Sequence, residues 1–214
     1  MPLTPSPPAP ALLWLQELGC VRGGRPLFGG LNVQLRPGQL LRVQGPNGAG
    51  KTSLLRMLSG LLLPSAGQVL WRGEPAARAE SFGRERVYLG HAAALKDELS
   101  PFENLEAASA LGGRPCQEAE ALNALAGAGL ADFAHLPARR LSQGQRRRAG
   151  LARLGLCGHA PLWVLDEPFN ALDTAATSWL EGLLRQHLLR KGILVLTSHQ
   201  GRPLPDLPQQ VLSL

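Results

Sequence analysis

The sequence predicts an α/β fold in which a mixed sheet core carries an antiparallel β lobe and a helical insert. Two continuous apolar runs, residues 161–165 and 193–197, are typical of strands buried on both faces of a parallel sheet. Short apolar stretches separated by glycine pairs in residues 12–35 predict the antiparallel lobe. Alanine-rich helical stretches broken by glycines predict the insert at about residues 100–140. Together these features indicate a layered α/β domain.

Glycines mark the predicted turns of the lobe. Gly23-Gly24 and Gly29-Gly30 each predict a tight turn between short strands. The segment Gly73-Glu74-Pro75 predicts a further turn between strands at residues 68–71 and 86–89. The first part of the chain is therefore expected to be rich in short strands.

Helix signals follow in the second half of the chain. Ser100 begins the insert with a capping box, in which its side chain and that of Glu103 satisfy each other's backbone N–H groups. One helix is predicted over residues 142–158, and another over residues 174–190. We expect residues 146–148, three consecutive arginines, to form the solvated shoulder of the first of these helices rather than a binding patch.

A glycine-rich loop fits the pattern G-x-x-x-x-G-K-[ST] between a predicted strand at residues 40–44 and an apolar-periodic helix. The backbone N–H groups of such a loop cradle β- and γ-phosphates at the positive end of the helix. Lys51 adds a mobile positive charge, and the Thr52 hydroxyl is suited to bind Mg²⁺. The predicted nucleotide site consists of Gly45, Pro46, Asn47, Gly48, Ala49, Gly50, Lys51, Thr52 and Ser53.

An acidic pair follows the first buried strand. Asp166 and Glu167 come directly after residues 161–165, at the strand end where ligands of open α/β sheets collect. Asp166 is suited to hold Mg²⁺ through its water shell, and Glu167 to polarise an attacking water. A lone Asp-Glu pair is usually a surface feature, but the buried strand and the upstream loop favour a catalytic role. His199 ends the neighbouring strand; such a histidine is more often structural, and a contact to the γ-phosphate depends on the rest of the site.

Composition argues against several other classes of protein. The chain has 214 residues, a net charge of +6 and only 5% aromatic residues, and most of its arginines are scattered, so we expect no nucleic-acid partner. Its three cysteines are odd in number and far apart, which favours neither a disulfide framework nor a zinc site. No apolar run approaches the ~20 residues of a membrane span. Residues 1–10 contain five prolines and are expected to form a disordered tail before one domain over residues 11–214.

Further segments resemble those of the ABC-type ATPases over nearly the whole length of the chain. Leu141-Ser142-Gln143-Gly144-Gln145 resembles the family signature LSGGQ with one glycine replaced, residues 170–173 resemble the D-loop that ends at Asp173, and His199 resembles the switch histidine. The resemblance implies ATP as the nucleotide and Mg²⁺ as its metal. It also implies a head-to-tail dimer of two copies, in which Ser142, Gly144 and Gln145 of one copy close on the ATP held by the other.

Two positions depart from the family pattern. The family usually has an aromatic residue that stacks on adenine after the first strand, and the corresponding position here is Arg22, whose guanidinium plane offers another stacking surface. A Q-loop glutamine usually follows the strand that ends here at Leu89, and this chain has Gly90-His91 instead. Either His91 takes over the contact to the metal or the attacking water, or that contact is absent.

A narrower resemblance links the chain to the ATP-binding subunits of bacterial cytochrome c maturation haem exporters, in residues 20–23, 88–91, 95–99, 162–169 and 198–200. It implies a peripheral translocase ATPase on the cytoplasmic face of the inner membrane. Two copies would serve a multi-span membrane subunit and drive haem delivery, with the helical insert as the docking surface. No residue indicates that haem binds this chain directly.

Other functions remain open at this point. One is an ABC ATPase for a different cargo, and another is a soluble ABC ATPase of translation or DNA repair. Soluble members usually carry two cassettes or a long coiled-coil insert, and 214 residues leave room for neither. A P-loop small-molecule kinase would leave residues 141–145 and 170–173 unexplained.

Overall fold

A computed structural model describes residues 11–198, 204 and 206–214, and it separates antiparallel from parallel strands into two sheets. Strands are numbered along the chain. The antiparallel sheet has the order β2-β1-β4-β5 and consists of β1 (Leu13–Arg22), β2 (Arg25–Leu35), β4 (Ala66–Trp71) and β5 (Glu74–Pro75). The predicted α/β class and the antiparallel lobe are confirmed. The predictions for residues 1–10 and for His199 fall outside the described residues.

The second sheet has five strands in the order β6-β7-β8-β3-β9, and every neighbouring pair is parallel. It consists of β3 (Leu40–Gln44), β6 (Arg86–Leu89), β7 (Leu162–Leu165), β8 (Ile193–Thr197) and β9 (Gln209–Ser213). Because all five strands are parallel, their carboxyl ends meet at the same edge of the sheet, where the loops after β3 and β7 lie.

Two predicted turns are wrong. Gly29-Gly30 lies inside β2, where the register with β1 shifts and Gly30 adopts a φ of 65°, so this pair produces a bulge instead of ending the strand. Glu74–Pro75 forms β5 and pairs with β4, and the turn before it is made by Arg72 and Gly73, both with positive φ. Only Gly23-Gly24, between β1 and β2, forms its predicted turn.

The helices are α1 (Lys51–Leu58), α2 (Pro101–Leu111), α3 (Glu118–Gly127), α4 (Gln143–Ala152) and α5 (Thr174–Leu189). Short 3-10 helices cover Ala131–Phe133, Ala138–Arg140 and Arg153–Leu156. The predicted capping box is present, since the Ser100 hydroxyl accepts from Glu103 N–H and the Glu103 carboxylate accepts from Ser100 N–H. In the described part of the chain, no helix is long and apolar enough to cross a membrane.

Side chains of the parallel sheet alternate between two cores. Leu162 and Val164 of β7 pack with the antiparallel lobe and α1, whereas Trp163 and Leu165 pack with α5 and the region after α4. A third core lies within the insert and includes one face of α4. The apolar run of β7 is therefore buried on both faces, as its composition predicted, and it positions the acidic pair that follows.

Candidate functional site

The glycine-rich loop connects β3 to α1, and its glycines allow a tight backbone path. Gly45 has a φ of 150°, and a Cβ there would lie 2.8 Å from the Leu214 carbonyl oxygen. Gly50 has a φ of 100° and precedes α1 without a capping side chain from the described residues. Lys51 Nζ donates to the carbonyls of Gly45 (2.8 Å) and Pro46 (3.0 Å). The N-terminus of α1 and the Lys51 ammonium therefore present positive charge at the loop.

The acidic pair is held by hydroxyl groups from two other elements. Asp166 and Glu167 follow β7 and are only 3% and 6% exposed. Asp166 accepts hydrogen bonds from Thr52 Oγ1 at Oδ2 and from Thr197 Oγ1 at Oδ1, each at 2.8 Å. The Thr197 hydroxyl also accepts from Glu167 N–H at 2.8 Å. Thr197, at the end of β8, thus fixes both acidic residues relative to the sheet.

Arg147 contradicts the predicted solvated shoulder. The residue is only 8% exposed, and its side chain contacts the backbone of the acidic pair. Its Nη2 donates to the carbonyls of Asp166 (3.1 Å) and Glu167 (2.7 Å). Nη1 donates to the carbonyls of Gly90 (3.2 Å) and His91 (3.0 Å). Burial lowers the pKa of this guanidinium, while the negative charges of Asp166 and Glu167 oppose that shift. The prediction failed because Arg147 lies on the face of α4 that packs against the sheet.

One cleft of about 510 Å³ brings half of the predicted site residues together. Residues of the loop and of α1 line this cleft together with the acidic pair and His91. Leu27 and Asn170 also line it, although neither was singled out as a nucleotide contact. The predicted residues in the cleft are Asn47, Gly48, Gly50, Lys51, Thr52, Ser53, His91, Asp166 and Glu167. Gly45, Pro46 and Ala49 belong to the loop but do not line the cleft.

The signature segment lies outside this cleft, at the exposed N-terminus of α4. Ser142 and Gln145 form a capping box, with Ser142 N–H donating to Gln145 Oε1 (2.8 Å) and Gln145 N–H donating to the Ser142 hydroxyl (3.2 Å). Gly144 lies beside the D-loop, since a Cβ there would be 3.4 Å from the Ala171 carbonyl oxygen. Asp173 caps α5 through a 2.8 Å hydrogen bond from Ala176 N–H. These residues are therefore not part of the chain's own cleft.

Arg22 is also separate from the cleft. It is exposed at the end of β1, opposite Arg25 across the hairpin, and it is not among the residues that line the cleft. His199 lies outside the described residues, so its position relative to the cleft stays a prediction.

Comparison with known proteins identifies the family. A family model described as ABC transporter matches residues 28–170, which include the loop, the signature segment and the acidic pair. The chain belongs to the ABC transporter family. It is an ABC-type ATPase, and ATP is its nucleotide.

Two curated relatives of this ABC-type ATPase match it over almost their whole length. The cytochrome c biogenesis ATP-binding export protein of Aromatoleum aromaticum is 52% identical over 204 residues, which cover 95% of each chain. The protein of the same name from Dechloromonas aromatica is 50% identical, covering 91% of this chain and 95% of its own.

Solved structures agree with the fold. A putative ABC transporter ATP-binding protein from Pyrococcus furiosus has a TM-score of 0.79 at 24% identity, covering 94% of this chain and 96% of its own. An ATP-binding cassette solved as a dimer bound to ADP and Pi has a TM-score of 0.76 at 22% identity, covering 88% of each chain.

Two residues that hold the acidic pair of this ABC-type ATPase, Thr197 and Arg147, belong to none of the predicted motifs. Thr197 carried a usable signal, because a hydroxyl residue at the end of one buried strand lies next to the end of its parallel neighbour. Arg147 carried one too, because it stands four and seven residues before Leu151 and Leu154, and this spacing places all three on the same face of a helix.

Proposed function

We propose that this ABC-type ATPase powers haem delivery for the biogenesis of c-type cytochromes, as the peripheral ATP-hydrolysing subunit of an export complex on the cytoplasmic face of the bacterial inner membrane. One observation carries the proposal: relatives named as cytochrome c biogenesis ATP-binding export proteins match about 50% of residues over nearly the whole chain. Haem is inferred as the cargo from that similarity alone. No haem site on this chain is part of the proposal.

The metal of the proposed reaction is Mg²⁺, held by Thr52 and Asp166. The two residues supply a hydroxyl and a carboxylate oxygen 2.8 Å apart, which are the hard oxygen ligands that Mg²⁺ prefers. The described residues contain no cluster of three or more His, Cys, Asp or Glu side chains able to hold a metal. The remaining ligands would thus be phosphate oxygens and water, which suits a metal bound together with its nucleotide.

In the proposed reaction Glu167 orients the attacking water, and bound Mg²⁺ neutralises charge on the phosphates. We assign the metal to Asp166 because its Oδ2 lies 2.8 Å from the Thr52 hydroxyl, and we assign the water to Glu167, which lines the same cleft. Lys51 and the loop N–H groups stabilise the charge of the γ-phosphoryl group. His91, which lines the same cleft, is proposed to replace the Q-loop glutamine, and His199 to contact the γ-phosphate.

We further propose that a second copy completes each site. Ser142, Gly144 and Gln145 lie at a helix N-terminus outside the chain's own cleft, and a helix N-terminus favours an anion. In a head-to-tail pair, the segment would close on the ATP of the other copy, with Asp173 near the interface. Arg22 would stack on adenine at the edge of the site.

The membrane partner is proposed to be a multi-span subunit that docks on the helical insert. The insert has its own core, so it can transmit force as a separate unit while remaining linked to the ATP site through α4. Co-purification of this chain with a multi-span protein from membranes tests this part of the proposal.

A deletion strain tests the pathway. Haem is attached covalently in c-type cytochromes, so haem staining of denaturing gels detects them and not b-type haemoproteins. We expect the deletion strain and a Lys51→Ala strain to lose c-type bands while a b-type spectrum stays normal. Normal c-type bands in the deletion strain, with no second assembly system present, would contradict the haem pathway and leave the ATPase assignment intact.

A further inference from the structure

Arg147 joins three parts of the molecule that the reaction requires. It belongs to α4, whose N-terminus carries the signature segment. Its two terminal nitrogens donate four hydrogen bonds to backbone carbonyls, one pair at Gly90 and His91 and the other at Asp166 and Glu167. A single buried guanidinium therefore fixes the segment that carries His91 against the turn that carries Glu167.

The turn at Glu167 needs such support. Glu167 has a φ of 50°, in the left-handed region that non-glycine residues rarely adopt at a cost of about 1–3 kcal/mol. Arg147 holds the carbonyl of this residue at 2.7 Å, and Thr197 holds its N–H at 2.8 Å. The two contacts hold both the N–H and the carbonyl of Glu167, so they fix the direction in which its side chain leaves the backbone.

Arg146 and Arg148, the two neighbours of Arg147, do not contact the acidic pair through the hydrogen bonds that they make. Arg146 donates to the Ala138 carbonyl and pairs with Asp97, and Arg148 donates to the carbonyls of Ala128 and Gly129. All of these partners lie outside the cleft, in the insert or the segment before it. Arg147 is thus the member of the trio that contacts the site, and Arg148 offers a matched control one position away.

We infer that Arg147 is a positioning residue, which acts through Glu167 and couples the signature helix to the catalytic turn of its own subunit. The inference rests on the proposed roles of Glu167 and the signature segment. When the N-terminus of α4 closes on the partner's ATP, any shift of α4 reaches Asp166 and Glu167 through two of the carbonyl contacts and reaches Gly90 and His91 through the other two. A displacement of about 1 Å at a reacting group is enough to cost about 100-fold in rate.

The test compares Arg147→Gln, Arg147→Lys and the control Arg148→Gln in the assembled export complex. We expect Arg147→Gln to lower kcat about 100-fold while KM for ATP stays close to wild type, because the loop is untouched. Lysine keeps the charge but cannot bridge both pairs of carbonyls, so its kcat should lie between those of wild type and the glutamine variant. Arg148→Gln should keep the wild-type kcat.

A double variant separates positioning from general support of the fold. In a Glu167→Gln background the carboxylate that Arg147 positions is already gone, so adding Arg147→Gln should lower the residual rate of phosphate release by far less than about 100-fold. A further loss of about 100-fold in that background, a rise in KM that accounts for the whole defect, or thermal unfolding of both Arg147 variants would each overturn the inference. If Glu167→Gln alone keeps the wild-type rate, the proposed role of Glu167 fails first, and Arg147 then has no catalytic carboxylate to position.

Discussion

At the scale of single residues, the site depends on buried polar groups that satisfy one another. Thr197 shows this most clearly, because its hydroxyl donates to Asp166 and accepts from Glu167 N–H in a fully buried position. A buried N–H that loses its partner costs about 1–3 kcal/mol. The same hydroxyl therefore contributes to both the stability of the domain and the geometry of the acidic pair.

We expect Thr197→Val to lower the free energy of unfolding by about 1–3 kcal/mol and to slow ATP hydrolysis, with little change in ATP affinity. Valine has a similar shape but no hydroxyl, and Thr197→Ser keeps the hydroxyl and serves as the control. Denaturant unfolding and steady-state ATPase assays provide the two measurements. Wild-type hydrolysis by a folded valine variant would show that the hydroxyl does not position the acidic pair.

Residue roles were predictable only where a motif fixes both chemistry and spacing. The loop from Gly45 to Thr52 and the pair Asp166-Glu167 stand out in the sequence because each type of residue is required at its position. Arg147 and Thr197 belong to no such motif. Helical spacing and the end of a buried strand place them near the core, but their contacts with the acidic pair depend on how α4 packs and on the order of strands in the sheet. Those facts arise from tertiary packing.

At the scale of elements, the packing of α5 on β7 requires an uncharged histidine. His187 is 4% exposed, stacks on Trp163 with ring centroids 4.0 Å apart, and lies with Nε2 3.0 Å from the Ile193 carbonyl oxygen. The pKa of His187 is lowered to about 4. Burial is the largest cause, the hydrogen bond to the Ile193 carbonyl opposes it, and the positive charge of Arg190 adds to it. Gly192 is required here, since a Cβ would lie 2.2 Å from the imidazole ring.

The folded state should therefore lose stability in acid. An unfolded histidine takes up a proton below about pH 6.5, whereas His187 in the folded state resists protonation down to about pH 4. In that window the free energy of unfolding should fall by about 1.4 kcal/mol per pH unit, and above pH 6.5 this contribution is constant. Urea unfolding at pH 7.5 and pH 5 measures the effect. The difference between the two pH values should be smaller in His187→Gln by about 2 kcal/mol, and an equal difference in both proteins would contradict this account.

The N-terminus of α4 is the element that we assign to the partner's ATP. Ser142→Arg should leave ATP binding by the isolated chain unchanged, because Ser142 lies outside its own cleft. The same change should abolish cooperative hydrolysis, since a bulky cation would occupy the interface. Nucleotide titration of the monomer and the dependence of ATPase rate on protein concentration are the readouts. Loss of ATP binding in the monomer would indicate a folding defect and remove support for the shared site.

At the scale of the whole molecule, the parallel sheet positions the loop and the acidic pair. The parallel sheet brings the ends of β3, β7 and β8 to one edge, where the loop, the acidic pair and Thr197 meet. Its strands β7 and β8 were predictable because a strand buried on both faces is apolar throughout. The bulge at Gly29-Gly30 was not, because a glycine pair can either end a strand or bend it, and pairing with β1 decides between the two.

The most direct test of the account is ATP turnover by Glu167→Gln in the assembled complex, beside Lys51→Ala. We predict two different failures. Lys51→Ala should bind nucleotide poorly because the loop loses its mobile charge, whereas Glu167→Gln should keep ATP bound and stop turnover because the group that orients water is gone. Fluorescent nucleotide binding and phosphate release measure both steps on the same samples. Hydrolysis at the wild-type rate by Glu167→Gln would contradict the account, because Glu167 would then not be the catalytic carboxylate.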